Sequence, residues 1–194
     1  MLEYVKQIAW DPTAPVPAGW PHGWYGVLLL FCIPLGVGIP PGVLLGQRDG
    51  LGAFVLLVLY VASDVVMATF FEPMLRVLAF VSRRVPALDR TLRFMLHVIE
   101  RTMPAGSLAG PTGVVITGFG AGLPFGRAIA WAAGYGLVVS WLLSIAGDTL
   151  YYALGMVSTL WFNGVLGDPR LAALGGIVVM LVVPLLIRRF RGSA

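Results

Sequence analysis

The sequence has few charged residues and almost none of the residues that build thiol or metal chemistry. Only 11% of its 194 residues are Asp, Glu, Lys or Arg, and there are two histidines and one cysteine. The single cysteine, Cys32, excludes an intrachain disulfide. No histidine–carboxylate, cysteine or metal-ligand cluster lies in the apolar segments, so we do not expect an enzyme.

Apolar residues take the place of the missing charge: 58% of the chain is hydrophobic and the mean hydropathy is +0.89. Apolar segments lie at about 24–46, 51–71, 108–132, 135–157 and 171–188. A helix needs about 20 apolar residues to cross a bilayer. We therefore predict an all-α, polytopic integral membrane protein. No polar block is large enough to fold separately, so residues 1–194 are expected to form a single membrane domain.

A pattern of glycine, proline and aspartate occurs twice, and the two copies align with each other without an insertion or deletion. Ten of the 29 positions from 36 to 64 carry the same residue as the matching position in 120–148. The pairs include Gly36/Gly120, Gly38/Gly122, Pro40/Pro124, Gly42/Gly126, Gly50/Gly134, Gly52/Gly136 and Asp64/Asp148. A duplicated apolar unit with helix breakers and a lone carboxylate is typical of small transporters built from two halves. We place repeat 1 at about 24–71, repeat 2 at about 108–157 and a last transmembrane helix at about 171–188.

The breakers fall inside the first segment of each repeat. Proline removes a backbone donor and glycine weakens a helix, so neither segment is expected to be one continuous helix. Broken backbone at membrane depth is stable only where protein or a water-filled cavity covers it. Each repeat should therefore begin with an inward-facing re-entrant hairpin or broken helix, followed by a transmembrane helix.

Charge placement predicts the topology. The net charge of +4 comes from arginines concentrated in residues 76–101 and in the tail, which we interpret as topology determinants and not as a nucleic-acid surface. Five crossings would put these two regions on opposite faces. Crossings at 51–71, 135–157 and 171–188 put both in the cytoplasm with the N-terminus outside, and they make the two repeats inverted. A further crossing hidden in 73–101 would also satisfy the charge rule.

The middle of the chain and its start complete this topology. Apolar residues at spacings of three and four from Leu88 to Met103 predict an amphipathic cytoplasmic linker over about 73–105. The first long apolar run begins near Trp24, behind a mixed stretch with four prolines, so we expect no cleavable signal. The expected location is a bacterial inner membrane, with several crossings and a cytoplasmic C-terminus.

Asp64 and Asp148 are the first candidate site residues, because each lies near the middle of a predicted crossing. A carboxylate at that depth costs roughly a few kcal/mol unless it is paired, protonated or hydrated. The two could form a shared proton or cation site near the midplane. Alternatively, each could accept hydrogen bonds from amides freed at the glycine breaks and so be structural. Ser144, Tyr151 and Tyr152 share the helical face of Asp148 and could line a polar cavity.

The breaks are the second candidate site. A half-helix that begins in mid-membrane offers free amide donors and a positive dipole end to an anion. The candidate residues are Gly38, Pro40 and Gly42 in the first break and Gly122, Pro124 and Gly126 in the second. Arg127 follows Gly126, whereas Val43 stands at the matching position, so the second break suits a phosphate or carboxylate. Arg127 could instead pair with Asp148 or reach the headgroups. Glu72 is interpreted as an ordinary interface charge.

The chain resembles known membrane families in the order of these segments. A glycine- and proline-rich segment, an apolar helix, a basic linker, the stretch GFGAGLPFGRAIAWAAGYG and a helix containing GDTLYYALG follow one another over about 36–157. This order is similar to the small multidrug export family and to the DedA (VTT-domain) family, and more distantly to LysE-type exporters. The resemblance implies paired inverted hairpins and a transport class. The DedA family includes translocases of polyprenyl-phosphate lipids.

These observations predict a proton- or cation-coupled exporter of a small solute, with Asp64 and Asp148 as the coupling residues. One alternative is a translocase of a phosphate-bearing polyprenyl lipid or other anionic lipid, whose head group Arg127 and the hairpin amides would hold. Another is a non-transporting membrane scaffold. The expected partners are the lipid bilayer and a small-molecule or anionic lipid substrate, without nucleic acid. A second copy could enclose the path as a homodimer, and no cofactor is expected beyond a coupling proton or monovalent cation.

Overall fold

The computed structural model describes residues 20–33, 36–82 and 110–191, which contain seven α-helices and no strand. The helices are α1 (Trp24–Phe31), α2 (Ile39–Arg48), α3 (Ala53–Ser82), α4 (Pro111–Ala121), α5 (Leu123–Ala132), α6 (Leu137–Leu166) and α7 (Pro169–Arg191). The all-helical class predicted from the sequence is confirmed for this part of the chain. The amphipathic pattern from Leu88 to Met103 lies outside the described residues.

Each glycine- and proline-rich segment consists of two helices, as the breakers predicted. In the second segment, Gly122 separates α4 from α5 with a φ of +88°, a conformation that favours glycine. The members of each pair, α1 with α2 and α4 with α5, pack on each other. A Cβ added to Gly126 would lie 3.2 Å from the Cα of Gly118, so α5 folds back along α4.

The helices after each break repeat the same backbone at matching positions of the duplication. Helix α2 spans residues 39–48 and α5 spans 123–132, while α3 spans 53–82 and α6 spans 137–166. The turns between them also match. Gly50 and Gly134 have φ angles of +75° and +85°, and the next residues donate equivalent hydrogen bonds, from the Leu51 amide to the Gly46 carbonyl and from the Tyr135 amide to the Ala130 carbonyl. The duplication seen in the sequence is therefore present in the backbone.

Three helices are long and apolar enough to cross a membrane. Their candidate spans are Ala53–Val77, Leu137–Leu166 and Pro169–Leu186, which coincide with the three crossings expected from charge placement. Helix α3 continues through Pro73 to Ser82, so the segment expected to begin a linker at residue 73 starts as part of this helix. Large apolar side chains such as Phe54, Phe70 and Val138 are exposed on these helices, which suits a lipid environment.

The chain divides into two compact units. Unit 1 contains the residues up to Asp64 together with Thr149–Val183, and unit 2 contains Val65–Asp148 together with the chain from Pro184. Unit 1 therefore contains α1, α2, the first part of α3 and the last part of α6. Unit 2 contains α4, α5, the first part of α6 and the last part of α3. The two boundaries, after Asp64 and after Asp148, fall at matching positions of the duplication.

The core of unit 1 is built around three aromatic rings. Tyr60 of α3 stacks on Tyr152 of α6 with ring centroids 4.1 Å apart, and Phe31 of α1 meets both rings edge-on at 5.4 and 5.3 Å. Stacked and edge-to-face pairs of this kind add to the stabilisation from burial alone. The α1–α2 pair is thus fastened to both long helices within unit 1 by aromatic contacts.

The matched turns give a stability test with an internal control. Gly50→Ala and Gly134→Ala should each lower the free energy of unfolding by about 1 kcal/mol, because alanine disfavours a positive φ. Gly52→Ala and Gly136→Ala should change it little, since neither glycine has a positive φ. Among the described residues, no atom lies within 4 Å of a Cβ added at any of the four. Reversible denaturation in detergent micelles would measure the difference, and equal costs at the first and second glycine of each turn would contradict the backbone assignment.

Candidate functional site

A buried arginine forms the centre of a charged cluster in unit 2. Arg127 of α5 is only 7% exposed. Its Nε lies 3.2 Å from Oε2 of Glu72 and its Nη2 lies 3.4 Å from Oε1, so the guanidinium faces both oxygens of the carboxylate. Glu72 belongs to α3 and lies 55 residues earlier in the chain. Two-point contacts between a guanidinium and a carboxylate combine charge with a fixed orientation.

Two further groups donate to the same carboxylate. The indole Nε1 of Trp141 donates to Oε2 of Glu72 at 3.0 Å, and Nε of Arg76 donates to Oε1 at 2.8 Å. Arg76 is one helical turn beyond Glu72 on α3, and its side chain is 67% exposed. The interpretation of Glu72 as an ordinary interface charge is therefore wrong, because Glu72 is the counter-ion of a buried arginine and accepts hydrogen bonds from three side chains.

Two tryptophans flank the guanidinium of Arg127. Its Cζ lies 5.9 Å from the ring centroid of Trp131 and 5.8 Å from that of Trp141, within the range of cation–π attraction. The third nitrogen, Nη1, is buried and has no hydrogen-bond partner among the described residues. One carboxylate and two guanidiniums give the cluster a formal charge of +1.

A groove of about 510 Å³ lies beside the cluster, between residues 65–76 of α3 and 137–145 of α6. Its walls combine the polar groups of Thr69, Glu72, Arg76 and Trp141 with the apolar side chains of Val65, Ala68, Pro73, Leu137, Val138, Leu142 and Ile145. The volume is in the range of small-molecule sites. The charged cluster therefore borders a mainly apolar groove.

The other repeat lacks this chemistry although it shares the backbone. The positions that match Arg127, Glu72, Trp141 and Arg76 in the duplication hold Val43, Met156, Leu57 and Leu160. Conversely, Ser140 and Ser144 occupy in unit 2 the positions that Leu56 and Tyr60 hold in unit 1, and both serines are fully buried. At these positions unit 1 therefore has apolar or aromatic side chains where unit 2 has polar ones.

The two predicted aspartates are both buried, with Asp64 4% exposed and Asp148 9% exposed. Each lies within a candidate membrane span, Asp64 on α3 and Asp148 on α6. Next to Asp64, the buried hydroxyl of Ser63 donates to the Tyr60 carbonyl at 2.7 Å. The structure therefore places a buried carboxylate at the same position of each repeat.

The other residues predicted to share the face of Asp148 fall into different surroundings. Ser144 is buried in unit 2 and donates to the Ser140 carbonyl at 2.8 Å. Tyr152 lies in the aromatic core of unit 1, where its hydroxyl donates to Sδ of Met156 at 3.3 Å. Tyr151 is also in unit 1, and its ring lies 3.0 Å from a Cβ added at Gly36.

The residues predicted at the breaks serve packing as well as chain reversal. In the first break, Gly38 lies against the Leu30 carbonyl and Gly42 lies against the ring of Phe31. Pro40 and Pro41 both stand in the first turn of α2 and are fully buried, so that turn has lost two amide donors.

The second break keeps more of its donors. Pro124 stands in the first turn of α5, but Phe125 holds the place of Pro41 and retains its N–H. A Cβ added at Gly126 would lie 2.9 Å from Oγ of Ser144, so this glycine lets α5 approach α6 closely. The second break thus has an amide donor at Phe125 and a guanidinium at Arg127 where the first break has Pro41 and Val43.

Among residues 20–33, 36–82 and 110–191 there is no group of three His, Cys, Asp or Glu side chains that could hold a metal ion. Comparisons of the chain with family models, with curated proteins and with solved structures found no match.

The apolar counterpart in unit 1 supplies the substitutions for a stability test of the ion pair. Glu72→Met should cost about 3 kcal/mol, because it leaves the buried charge of Arg127 without its carboxylate. Adding Arg127→Val, so that both positions carry the residues found at the matching positions 43 and 156, should recover most of that loss. The residual cost should come from the Trp141 indole, which loses its acceptor.

Reversible denaturation of the two single variants and the double variant would give the coupling free energy, which we expect to be about 2 kcal/mol or more. Arg76→Leu serves as the control, since the exposed side chain should contribute less than about 1 kcal/mol. Additive costs for Glu72→Met and Arg127→Val would show that the ion pair does not couple the two positions energetically.

Proposed function

We propose that the protein is a small secondary transporter of the bacterial inner membrane that couples export of a small solute to movement of a proton or monovalent cation. The observation that carries this proposal is the pair of buried carboxylates, Asp64 and Asp148, at matching positions of a duplicated backbone. Both lie in helices able to cross a membrane.

Physical chemistry connects these carboxylates with coupling. An ionised carboxylate in the interior of a membrane protein is unfavourable unless a proton, a cation or hydrogen-bond donors neutralise it. A group that gains free energy when it takes up a proton or cation can link that uptake to a conformational change. Transporters built from repeats place such groups near the interface of the repeats.

The packing within unit 1 supports an inverted arrangement of the repeats. Tyr60 of α3 stacks on Tyr152 of α6. Earlier on α3, Ala53 and Leu56 line a groove together with Leu160 and Asn163, which come later on α6. Residues earlier on α3 thus lie near residues later on α6, so these two segments run antiparallel. Because α3 and α6 are matching helices of the duplication, their antiparallel order favours inverted repeats with re-entrant first segments.

A second candidate function is translocation of a phosphate-bearing polyprenyl lipid or another anionic lipid. The observation that favours it is the positively charged cluster of Arg127, Glu72 and Arg76, in which Arg127 is buried, beside a mainly apolar groove. A head group would contact the guanidinium and the apolar chain would lie against the groove. Both candidates agree with the resemblance to the small multidrug export and DedA families.

Cysteine labelling tests the inverted arrangement. In a Cys32→Ser background, Arg48→Cys and Ala132→Cys place thiols at matching, exposed ends of α2 and α5. Inverted repeats predict that a membrane-impermeant thiol reagent reaches the two positions from opposite faces of oriented vesicles. The Cys32→Ser protein controls for background labelling. Labelling of both positions from the same face would contradict inversion.

Substitution of the aspartates tests coupling. A panel of small cations, metabolites and phosphates is first screened for a shift in the unfolding temperature of the purified protein, and a compound that shifts it is then offered to proteoliposomes. Accumulation driven by a pH or sodium gradient should fall at least tenfold in Asp64→Asn and in Asp148→Asn, because an amide does not take up the proton or cation.

Asp49→Asn and Asp168→Asn are the controls, since neither carboxylate is buried and both lie outside the candidate spans. These variants should retain accumulation. Gradient-driven accumulation that survives in Asp64→Asn and Asp148→Asn would remove the coupling role from the aspartates. Loss of folding together with activity would favour the scaffold alternative.

A further inference from the structure

Arg127 has more hydrogen-bonding capacity than Glu72 uses. Nε and Nη2 of the guanidinium face the carboxylate, whereas Nη1 is buried without a partner among the described residues. The whole side chain is about nine-tenths buried. A buried donor left unpaired is unfavourable, so an additional acceptor at this position would be bound favourably.

Glu72 makes shorter contacts with its other partners than with Arg127. Its contacts with Arg76 and Trp141 measure 2.8 and 3.0 Å, while those with Arg127 measure 3.2 and 3.4 Å. The carboxylate could therefore keep Arg76 and Trp141 as donors if its bonds to Arg127 opened. Arg127 would then need another anion, because an isolated buried charge is unstable.

We propose that Arg127 is the anion-binding site of the transporter and that Glu72 is its built-in competitor. The carboxylate or phosphate group of an amphiphilic anion replaces Glu72 on the guanidinium of Arg127, while Glu72 stays with Arg76 and Trp141. The inference rests on the proposed transport function for its purpose, but the exchange itself is an equilibrium binding event. It assigns Glu72 a positioning role: Glu72 neutralises the empty site and leaves it when the ligand binds.

Charge and shape define the ligand. The cluster has a formal charge of +1 with Glu72 ionised, so one bound monoanion makes it neutral. Trp141 faces the guanidinium of Arg127 and also lines the groove, so the two features are continuous. The groove walls beyond Trp141 include Val65, Val138 and Leu142, which are exposed apolar side chains. An anionic group can thus contact Arg127 while an attached apolar chain covers these residues.

The test measures binding of hexyl phosphate and of inorganic phosphate to the full chain in phosphatidylcholine nanodiscs by titration calorimetry. Glu72→Gln keeps the shape of the side chain and an acceptor for Trp141 but removes the competing charge. Its affinity for hexyl phosphate should rise about tenfold over wild type, since a charged hydrogen-bonded competitor is lost. Glu72→Gln/Arg127→Met should lose this gain, whereas Glu72→Gln/Arg170→Gln, which changes an exposed arginine, should keep it.

The two probes separate the anionic group from the apolar chain. Hexyl phosphate should bind at least tenfold more tightly than inorganic phosphate, and hexanol, which lacks the charge, should show no dependence on Arg127. Equal affinity for both phosphates would overturn the role of the groove. Unchanged or weaker binding in Glu72→Gln, or a gain that survives Arg127→Met, would overturn the exchange.

Folding and transport are controlled separately. If the variant with Arg127→Met does not remain monodisperse, Arg127→Lys is used in its place. A lysine keeps the charge but loses the two-point geometry, so the gain in affinity for hexyl phosphate should still be smaller. Asp49→Asn and Asp168→Asn, which lie outside the candidate spans, should bind hexyl phosphate like wild type. If Glu72→Gln does not bind hexyl phosphate more tightly but transport still depends on the aspartates, only the exchange of Glu72 for the ligand is overturned. If Glu72→Gln binds more tightly but transport does not depend on the aspartates, only the coupling role is overturned.

Discussion

The constraint on which this fold depends is that an apolar medium leaves no water to satisfy a broken backbone. Both repeats break a helix near their start, and the freed polar groups must be covered by the protein. The glycines at the breaks make this possible: Gly42 lets α2 lie against Phe31, and Gly126 lets α5 approach Gly118 and Ser144. Arg127 follows directly after Gly126, so the same close approach that covers the break also buries the guanidinium.

The two repeats use one backbone for two kinds of interior. In unit 1 the pair of short helices is fixed by the stacked rings of Tyr60 and Tyr152, which contribute stability without polar groups. In unit 2 the positions that match Tyr60 and Tyr152 hold Ser144 and Ala68, and the interior of that unit contains a buried arginine and its counter-ion. A buried ion pair is weak as a stabilising device, since apolar residues of similar volume often do as well or better. Val43 and Met156 occupy the matching positions in unit 1, so this backbone does not require an ion pair there, and under the proposed exchange the charges of Arg127 and Glu72 serve binding.

The sequence allowed the helical membrane class, the two breaks and the three long apolar helices to be predicted, because each follows from local composition and spacing. The ion pair between Glu72 and Arg127 could not be predicted, since no periodicity relates positions 55 residues apart. The apolar segment ends at about residue 71, which made Glu72 look like a charge at the end of its helix. The signal that was available is the missing symmetry: Arg127 and Glu72 both lack a charged counterpart at the matching position of the other repeat. Tyr152 shares a helical face with Asp148, but helical spacing gives no indication that α6 divides between two units.

Symmetry and asymmetry then suggest different tasks under the proposed function. A transporter that alternates between two states through inverted repeats needs matching parts that can exchange environments, and Asp64 and Asp148 satisfy that need because each repeat has one. Recognition of a single ligand has no such requirement, since one site suffices for one substrate. The charged cluster lies in unit 2, and the matching positions of unit 1 carry no charge. Its affinity for a ligand can therefore differ between two states in which the repeats exchange roles. Coupling residues would therefore keep the duplication, while the residues that select the ligand would depart from it.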